Sequence, residues 1–528
     1  MNKLLKTLIQ KRDGGTSSSS SSSTTTTAIP TEGTLSNNNA STSPDILLTL
    51  THLRKVFYEY QHPKIQWTQQ DKHDRLYSTL PMVIKVLSVL TNNEWEERFP
   101  ELSDYTFTLA KLLVYEIRMR ADKEPNPCAA SQAIIEYLEM NDEINSLSGW
   151  SLLRSLKLLS TGPNFIMDKF AQASLPSTFV KCLYLFFDLP EIIITYSNND
   201  VISPKEKRIL FQQIFFQLLS RIAMSNSCVD ELTRRDDLLL LFNAISSNCP
   251  ERNKPWRIQA SEMLILIGKH SLQPAIQCIH SARCISQCVE NLRRASCDLS
   301  LMDTARVYET LICLLIESAS LSSSLMDDFR LAHYALRELG FIEVLIARLH
   351  HFATLLKESI QDPNDKGDNM DQEEKELGFM IMEALALLLS HNQKNAKIFR
   401  EHGGARLAHN IIPYRLCRVA ALTVVLHLVL CTGGEDDTGT LLGLIHTAKL
   451  EELEMKSVIL KGFLYILRES HRTRTVFRKV GGFVYIVSLL ISMEGCFSAP
   501  PKHPWTTVSR HEILSIIRLI LNTLTVAK

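Results

Sequence analysis

The densest set of soft metal ligands in the chain is Cys278, His280, Cys284, Cys288 and Cys297. Cys284 and Cys288 share a helical face at i, i+4. A zinc site is usually built from tighter paired spacings, and none of the 12 cysteines forms a C-x-x-C pair. These residues therefore read as small apolar helix positions, with no metal or cofactor expected. His402-Gly403-Gly404 resembles a fragment of an esterase oxyanion loop, but no G-x-S-x-G elbow presents a nucleophile. Neither Gly403-Gly404 nor Gly481-Gly482 is followed by Lys-Ser/Thr, which excludes a phosphate-cradling P-loop. Trp150-Ser151-Leu152-Leu153 has the aromatic-x-x-aliphatic form of short peptides that bind ubiquitin-like modifiers. It leads directly into Leu156, Leu158 and Leu159, so burial is expected. The best cluster of like charge is His471, Arg472, Arg474, Arg478 and Lys479, a candidate partner-binding patch for an acidic peptide, a phosphate or a lipid headgroup. Glu435-Asp436-Asp437, upstream, is placed to neutralise it. No paired carboxylates, Ser/His/Asp set or Cys/His dyad can be argued, so no enzyme is expected.

The elements that carry these residues repeat. Phe399-Arg400 and Phe477-Arg478 are each followed by two residues and then Gly-Gly, and an apolar helical pattern follows each pair. The two copies lie 78 residues apart (474 − 396). One helix ends, a glycine pair turns the chain, and the next helix starts. Such spacing predicts an all-α fold, an α-solenoid of armadillo- or HEAT-like helical repeats with one or two units per period. Gly340-Phe341-Ile342 reads as a weaker third copy.

Composition agrees. Of 528 residues, 45% are hydrophobic, while Gly and Pro number only 19 each, which favours helices over a sandwich or barrel. Lys and Arg total 57, as do Asp and Glu. That balance gives no general attraction to nucleic acid or an anionic membrane, and no basic stripe is interleaved with exposed aromatics. No run of about 18 apolar residues spans a bilayer. Val419 to Cys431 is too short and reads as the central helix of a packed stack. Cysteines at single helical positions in a chain without a secretory leader imply reduced thiols and a cytoplasmic location.

Residues 1–44, with serines from Ser17 to Ser23, form a low-complexity head expected to be disordered. A front solenoid is expected over 45–360 and a back group of armadillo-like repeats over 377–528. An acidic, polar segment, 361–376, is expected to divide them as an exposed loop. Ser203-Pro204 reads as an N-cap with proline at the first helical position. Glu454, Lys461 and Arg468 recur every seven residues as one polar stripe.

Several blocks together resemble one family. They are His52-Leu53-Arg54-Lys55-Val56-Phe57, Tyr115-Glu116-Ile117-Arg118-Met119-Arg120-Ala121, the run from Leu175 to Pro190 (LPSTFVKCLYLFFDLP), Leu441 to His446, and Leu467 to Glu494 with its RESHRTRTVFRKVGGF core. This resembles the N-terminal region of the autophagy-linked FYVE (Alfy / Blue cheese) family of BEACH–WD40–FYVE scaffolds. The serine-rich start departs from it. The resemblance implies a cytosolic, non-catalytic scaffold of selective autophagy that links ubiquitin-positive aggregates to the forming autophagosome membrane. In that family the membrane link lies in C-terminal domains. A FYVE finger needs four C-x-x-C pairs and an R-H-H-C-R block, and neither is present. No lipid, zinc or modifier-binding residue therefore carries over. Protein partners are implied, with no nucleic acid and no direct membrane insertion. The alternative is an armadillo-type peptide-binding adaptor unrelated to autophagy, which would need an inner groove with ladders of Asn and Trp.

Overall fold

A computed structural model of the chain describes residues 44–61, 69–87, 100–140, 149–191, 203–247, 249–270, 282–294, 301–320, 326–360, 369–449, 452–498, 505 and 508–528. The predicted head, except Pro44, lies outside them. The chain divides into two compact units, Met1–Leu48 and Thr49–Lys528, and the helix stack belongs to the second.

Apolar residues at helical spacing make nearly every described segment a helix, and no strand occurs among the described residues. The helices fall into rows. The first row holds Gln69–Leu87, Gly149–Leu159, Pro204–Ala223, Lys254–His270, Leu301–Ser320, Gln372–Leu389, Arg418–Leu430, Leu453–Glu469 and Arg510–Ala527, each packed on the next. A second row runs alongside and includes Leu175–Leu185, Asp237–Ser246, Ala282–Arg294, Phe341–Ser359, Gly404–Ile411, Gly434–Thr447 and Gly482–Ser492. Four helices of 9 residues each, Asn164–Gln172, Asn226–Arg234, Gln393–Glu401 and His471–Lys479, lead into members of the second row. This is an α-solenoid of armadillo-like repeats. A repeat cannot bury its apolar faces alone, so stacking on its neighbours builds one continuous core.

The 78-residue period contains two units. A three-helix unit (Gln393–Glu401, Gly404–Ile411, Arg418–Leu430) is followed by a two-helix unit, Gly434–Thr447 and Leu453–Glu469. The residue before a second-row helix takes the left-handed conformation at Ser174, Asp236, Gly340, Gly403, Gly433 and Gly481. At the two Gly-Gly junctions that follow a Phe-Arg pair the glycines have different tasks. Gly403 and Gly481 carry φ of +77°, with nothing near where a Cβ would stand. Gly404 and Gly482 are helical, but an added Cβ would sit 2.4 Å from the Phe399 ring and 2.5 Å from the Phe477 ring. The first glycine supplies the turn, and the second lets the phenylalanine five residues earlier lie flat against the backbone.

The LPSTFVKCLYLFFDLP block is core. Phe179 stacks on Phe215 with centroids 4.7 Å apart, and Phe186 meets Trp256 at 4.7 Å. All four are fully buried, joining the stretch 175–188 to the first-row helices Pro204–Ala223 and Lys254–His270. Burying one such ring stabilises by about 1.5–3 kcal/mol. Buried Arg257 bridges two first-row helices through Asp303 at 2.6 Å. Ser203 and Glu206 close a capping box at Pro204–Ala223. Glu454, Lys461 and Arg468 are exposed together on Leu453–Glu469.

The end of the acidic segment, from Gln372, is helical rather than a loop. Residues 361–368 lie outside the described residues, while Gln372–Leu389 already takes Glu373, Glu374 and Glu376 into a helix. Acidic side chains in a first helical turn face the positive end of the helix dipole, so a charge run that looks like a loop also starts a helix well.

Candidate functional site

The predicted basic cluster is the whole helix His471–Lys479. Ser470 caps its start by accepting from the Thr473 amide at 3.3 Å. Val476 and Phe477 bury its inner face, with Phe477 edge-on to Phe463 (5.7 Å) and Phe483 (5.8 Å). That leaves His471, Arg472, Arg478 and Lys479 exposed and Arg474 half-buried. The structure thus brings the five predicted residues together on one short helix.

Four of the five side chains are committed within the chain. Arg472 Nη2 donates to the Cys431 carbonyl (3.2 Å), Arg474 Nη1 to that of Leu467 (2.6 Å) and Arg478 Nη1 to that of Lys528 (2.8 Å). Cys431 and Lys528 cap Arg418–Leu430 and Arg510–Ala527, and Leu467 stands in the last turn of Leu453–Glu469. Three arginines of one helix therefore reach the C-terminal ends of three successive first-row helices. A helix C-terminus offers unpaired carbonyls and a partial negative charge, which guanidinium groups satisfy. Lys479 Nζ donates to Glu435 Oε1 at 3.0 Å, part of the acidic run expected to neutralise the cluster.

The same logic holds one period earlier. Arg400, the arginine of the first Phe-Arg pair, donates to the carbonyls of Leu428 (2.8 Å) and Thr432 (2.6 Å). It also pairs with Asp437 Oδ2 at 2.7 Å. Asp437 is buried, and its other oxygen meets His409 Nε2 at 3.1 Å. This Arg400–Asp437–His409 network joins consecutive repeats and was not legible as a unit, because its members lie 28 and 37 residues apart. Two further buried bases were also missed. Burial lowers His427 to about 4, and neither of its ring nitrogens has a hydrogen-bond partner. Burial also lowers the Lys456 ammonium.

The other sequence candidates resolve differently. Trp150 is 8% exposed and Leu153 is fully buried in the helix Gly149–Leu159, so that segment is not available as an extended strand. Cys284 and Cys288 are buried, and burial pushes the Cys288 thiol up to about 12. Cys278, His280 and Cys297 lie outside the described residues. Among the described residues no three His, Cys, Asp or Glu side chains converge as a metal site. His402 Nδ1 stands 3.0 Å from the Ile398 carbonyl at the end of Gln393–Glu401. Trp150, Trp256 and Trp505, the described tryptophans with an assigned burial near the core, are all buried rather than laddered along a groove. No single helix among the described residues is long and apolar enough to cross a membrane.

No family model matches the chain. Human WD repeat- and FYVE domain-containing protein 4 is 26% identical over 181 residues, which is 34% of this chain and 6% of that protein. The mouse protein of the same name is 26% identical over 295 residues, 54% of this chain and 8% of its own length. The chain thus spans well under a tenth of the curated relatives it matches. Among solved structures, an engineered protein aligns with 92% of this chain and 96% of its own, at 14% identity and a TM-score of 0.38. A computationally designed armadillo repeat protein for modular peptide recognition aligns with 56% of this chain and 97% of its own, at 14% identity and a TM-score of 0.30. By sequence the chain is similar to WD repeat- and FYVE domain-containing protein 4 over about a third to a half of its own length.

Proposed function

We propose that the chain is a non-catalytic helical scaffold that holds protein partners on its repeat surface and serves selective autophagy in the cytoplasm. There it would connect ubiquitin-positive aggregates to autophagosomal membranes, with the membrane link carried outside this helical region. One observation supports the scaffold reading above others. The first-row helices pack one on the next, and the polar groups at their junctions are spent on caps and inter-repeat ion pairs rather than on a shared reactive centre. The autophagy reading rests on the resemblance of the quoted blocks.

Within this reading His471, Arg472, Arg474, Arg478 and Lys479 form a candidate partner surface. The three arginines are anchored by helix ends, so reversing their charge would disturb the fold as well as any interface. His471→Glu with Lys479→Glu leaves those caps in place. The test is affinity capture of partners by the full chain and by that double variant, with far-UV circular dichroism as the folding control. Loss of specific partners from a folded variant supports the patch, and an unchanged partner set sinks it. Recruitment of the tagged chain to ubiquitin-positive aggregates in cells tests the autophagy reading separately, and a diffuse distribution during aggregate clearance opposes it.

A further inference from the structure

The helix Leu102–Lys123 carries Lys111, Val114, Tyr115, Arg118 and Met119 at i, i+3, i+4, i+7 and i+8, one face of the helix. It packs against Asn164–Gln172, which is only 9 residues long. Where that short helix stops, at Gln172-Ala173-Ser174, part of the longer helix's face stays uncovered. Tyr115 is 50% exposed and Met119 36%. The result is a cavity of about 420 Å³ lined by the five residues of that face with Gln172, Ala173 and Ser174. Gln172 and Ser174 also line a second cavity of about 590 Å³, between Asn164–Gln172 and Asn226–Arg234. The two form one groove.

Charge is unevenly distributed along it. In the second half the carboxylates each face a partner, Asp230 the most loosely, at 3.9 Å from Arg234 on the exposed rim. Asp168 accepts from the Ser227 hydroxyl, and Glu231 accepts from the Ser177 amide at 3.1 Å and pairs with Arg235 at 2.7 Å. Arg235 also donates to Ser174 Oγ at 2.6 Å, which fixes the floor. In the first half the lining holds two cations and no carboxylate. Lys111 lies over the Phe107 ring at 4.7 Å, and Arg118 has no acidic partner among the described residues. An apolar shelf with two cations beside it, in a chain of zero net charge, suits a short acidic segment better than a polyanion.

We propose that this groove binds an acidic linear peptide. An aliphatic or aromatic side chain would rest on Tyr115 and Met119, and a neighbouring carboxylate would be held by Arg118 and Lys111. The inference rests on the protein-scaffold reading and adds to it a site and a ligand class. Tyr115, Arg118 and Met119 belong to one of the blocks that carry the family resemblance, and core packing alone gives no reason for their exposed positions.

The test is selection of random peptides of about twelve residues, displayed on phage, against the full chain, followed by fluorescence anisotropy of the enriched peptides as labelled synthetic probes. The expected enriched peptides pair Asp or Glu with a large apolar residue. R118E should weaken their binding about tenfold, the size of one lost charge-assisted hydrogen bond. K111E and M119K should also weaken it, while R118K should retain most of it. All three positions are on the surface, so an unchanged melting temperature separates lost binding from lost folding. Enriched peptides without acidic residues, or binding indifferent to R118E and M119K, would overturn the groove while leaving the scaffold reading in place. Failure to select any peptide would also overturn it, and if the full chain captured no partner either, the scaffold reading would fall with it.

Discussion

Substituting each half of a Gly-Gly junction should destabilise the chain for a different reason. In Gly481→Ala the new methyl meets nothing within 4 Å, so the cost comes from the left-handed φ of +77°. That conformation costs an L-residue about 1–2 kcal/mol, offset by about 0.4–1 kcal/mol from the stiffer unfolded chain, leaving roughly 1 kcal/mol. In Gly482→Ala the backbone is ordinary, but the methyl would stand 2.5 Å from Cε1 of Phe477. Phe477 is fully buried between Phe463 and Phe483, so the ring has little room to retreat, and overpacking of this kind costs about 1–3 kcal/mol. Phe477→Leu removes the obstructing edge. Gly482→Ala should therefore lose most of its cost in that background, a coupling of about 1–2 kcal/mol, while Gly481→Ala should cost the same in both. Repeat arrays unfold in parts, so the readout is native-state hydrogen exchange of the amides in 471–492 rather than one global midpoint. Equal costs of Gly482→Ala with and without Phe477, or a Gly481→Ala variant as protected as the parent, would refute this division of labour.

Three further outcomes are expected. Arg400→Ala strips buried Asp437 of its cation and two helix-end carbonyls of their donor, and should cost about 3–5 kcal/mol by native-state hydrogen exchange of the amides in 393–447; a change below about 1 kcal/mol contradicts the network. His427 is held at about 4 in the fold against an ordinary value of 6.5, so the unfolded chain binds its proton first as pH falls. Its contribution is intact above pH 6.5 and is lost between there and pH 4, about 3 kcal/mol in all; His427→Gln should reduce that acid sensitivity, and an unchanged pH profile opposes the assignment. On the last first-row helix, Ile520 is buried while Leu521 is 51% exposed, so Ile520→Glu should unfold the final repeat and Leu521→Glu should leave its melting temperature within about 1 °C, equal effects being the contrary result.

Legibility in the sequence followed how local each signal was. The glycine pairs, the Ser203 N-cap and the polar stripe on Leu453–Glu469 are written within one or two helical turns. Ser174 and Asp236 make the same turn as Gly403 without glycine, so no residue type announced two of the junctions. The two-helix unit at Gly433 lacks a short helix, and with it the Phe-Arg signal, so the period read as ambiguous. The basic cluster is local, five residues of one short helix. Its partners were hidden because Cys431 and Lys528 offer main-chain carbonyls 41 and 50 residues away. A backbone acceptor has no residue type to read. The acidic segment misled for the opposite reason, since the same carboxylates suit both a solvated loop and a first helical turn.

Zero-length carbodiimide cross-linking of the full chain, read by mass spectrometry, tests the stacked-repeat account most directly. Among the described residues, ion pairs lie within a repeat or reach across to the adjoining one, as Lys479 does with Glu435 at 3.0 Å and Lys181 with Asp237 at 3.6 Å. Among the described residues, the cross-links should include Lys479–Glu435 and join only the same or consecutive repeats. Reproducible intramolecular links between lysines and carboxylates two or more repeats apart would contradict it.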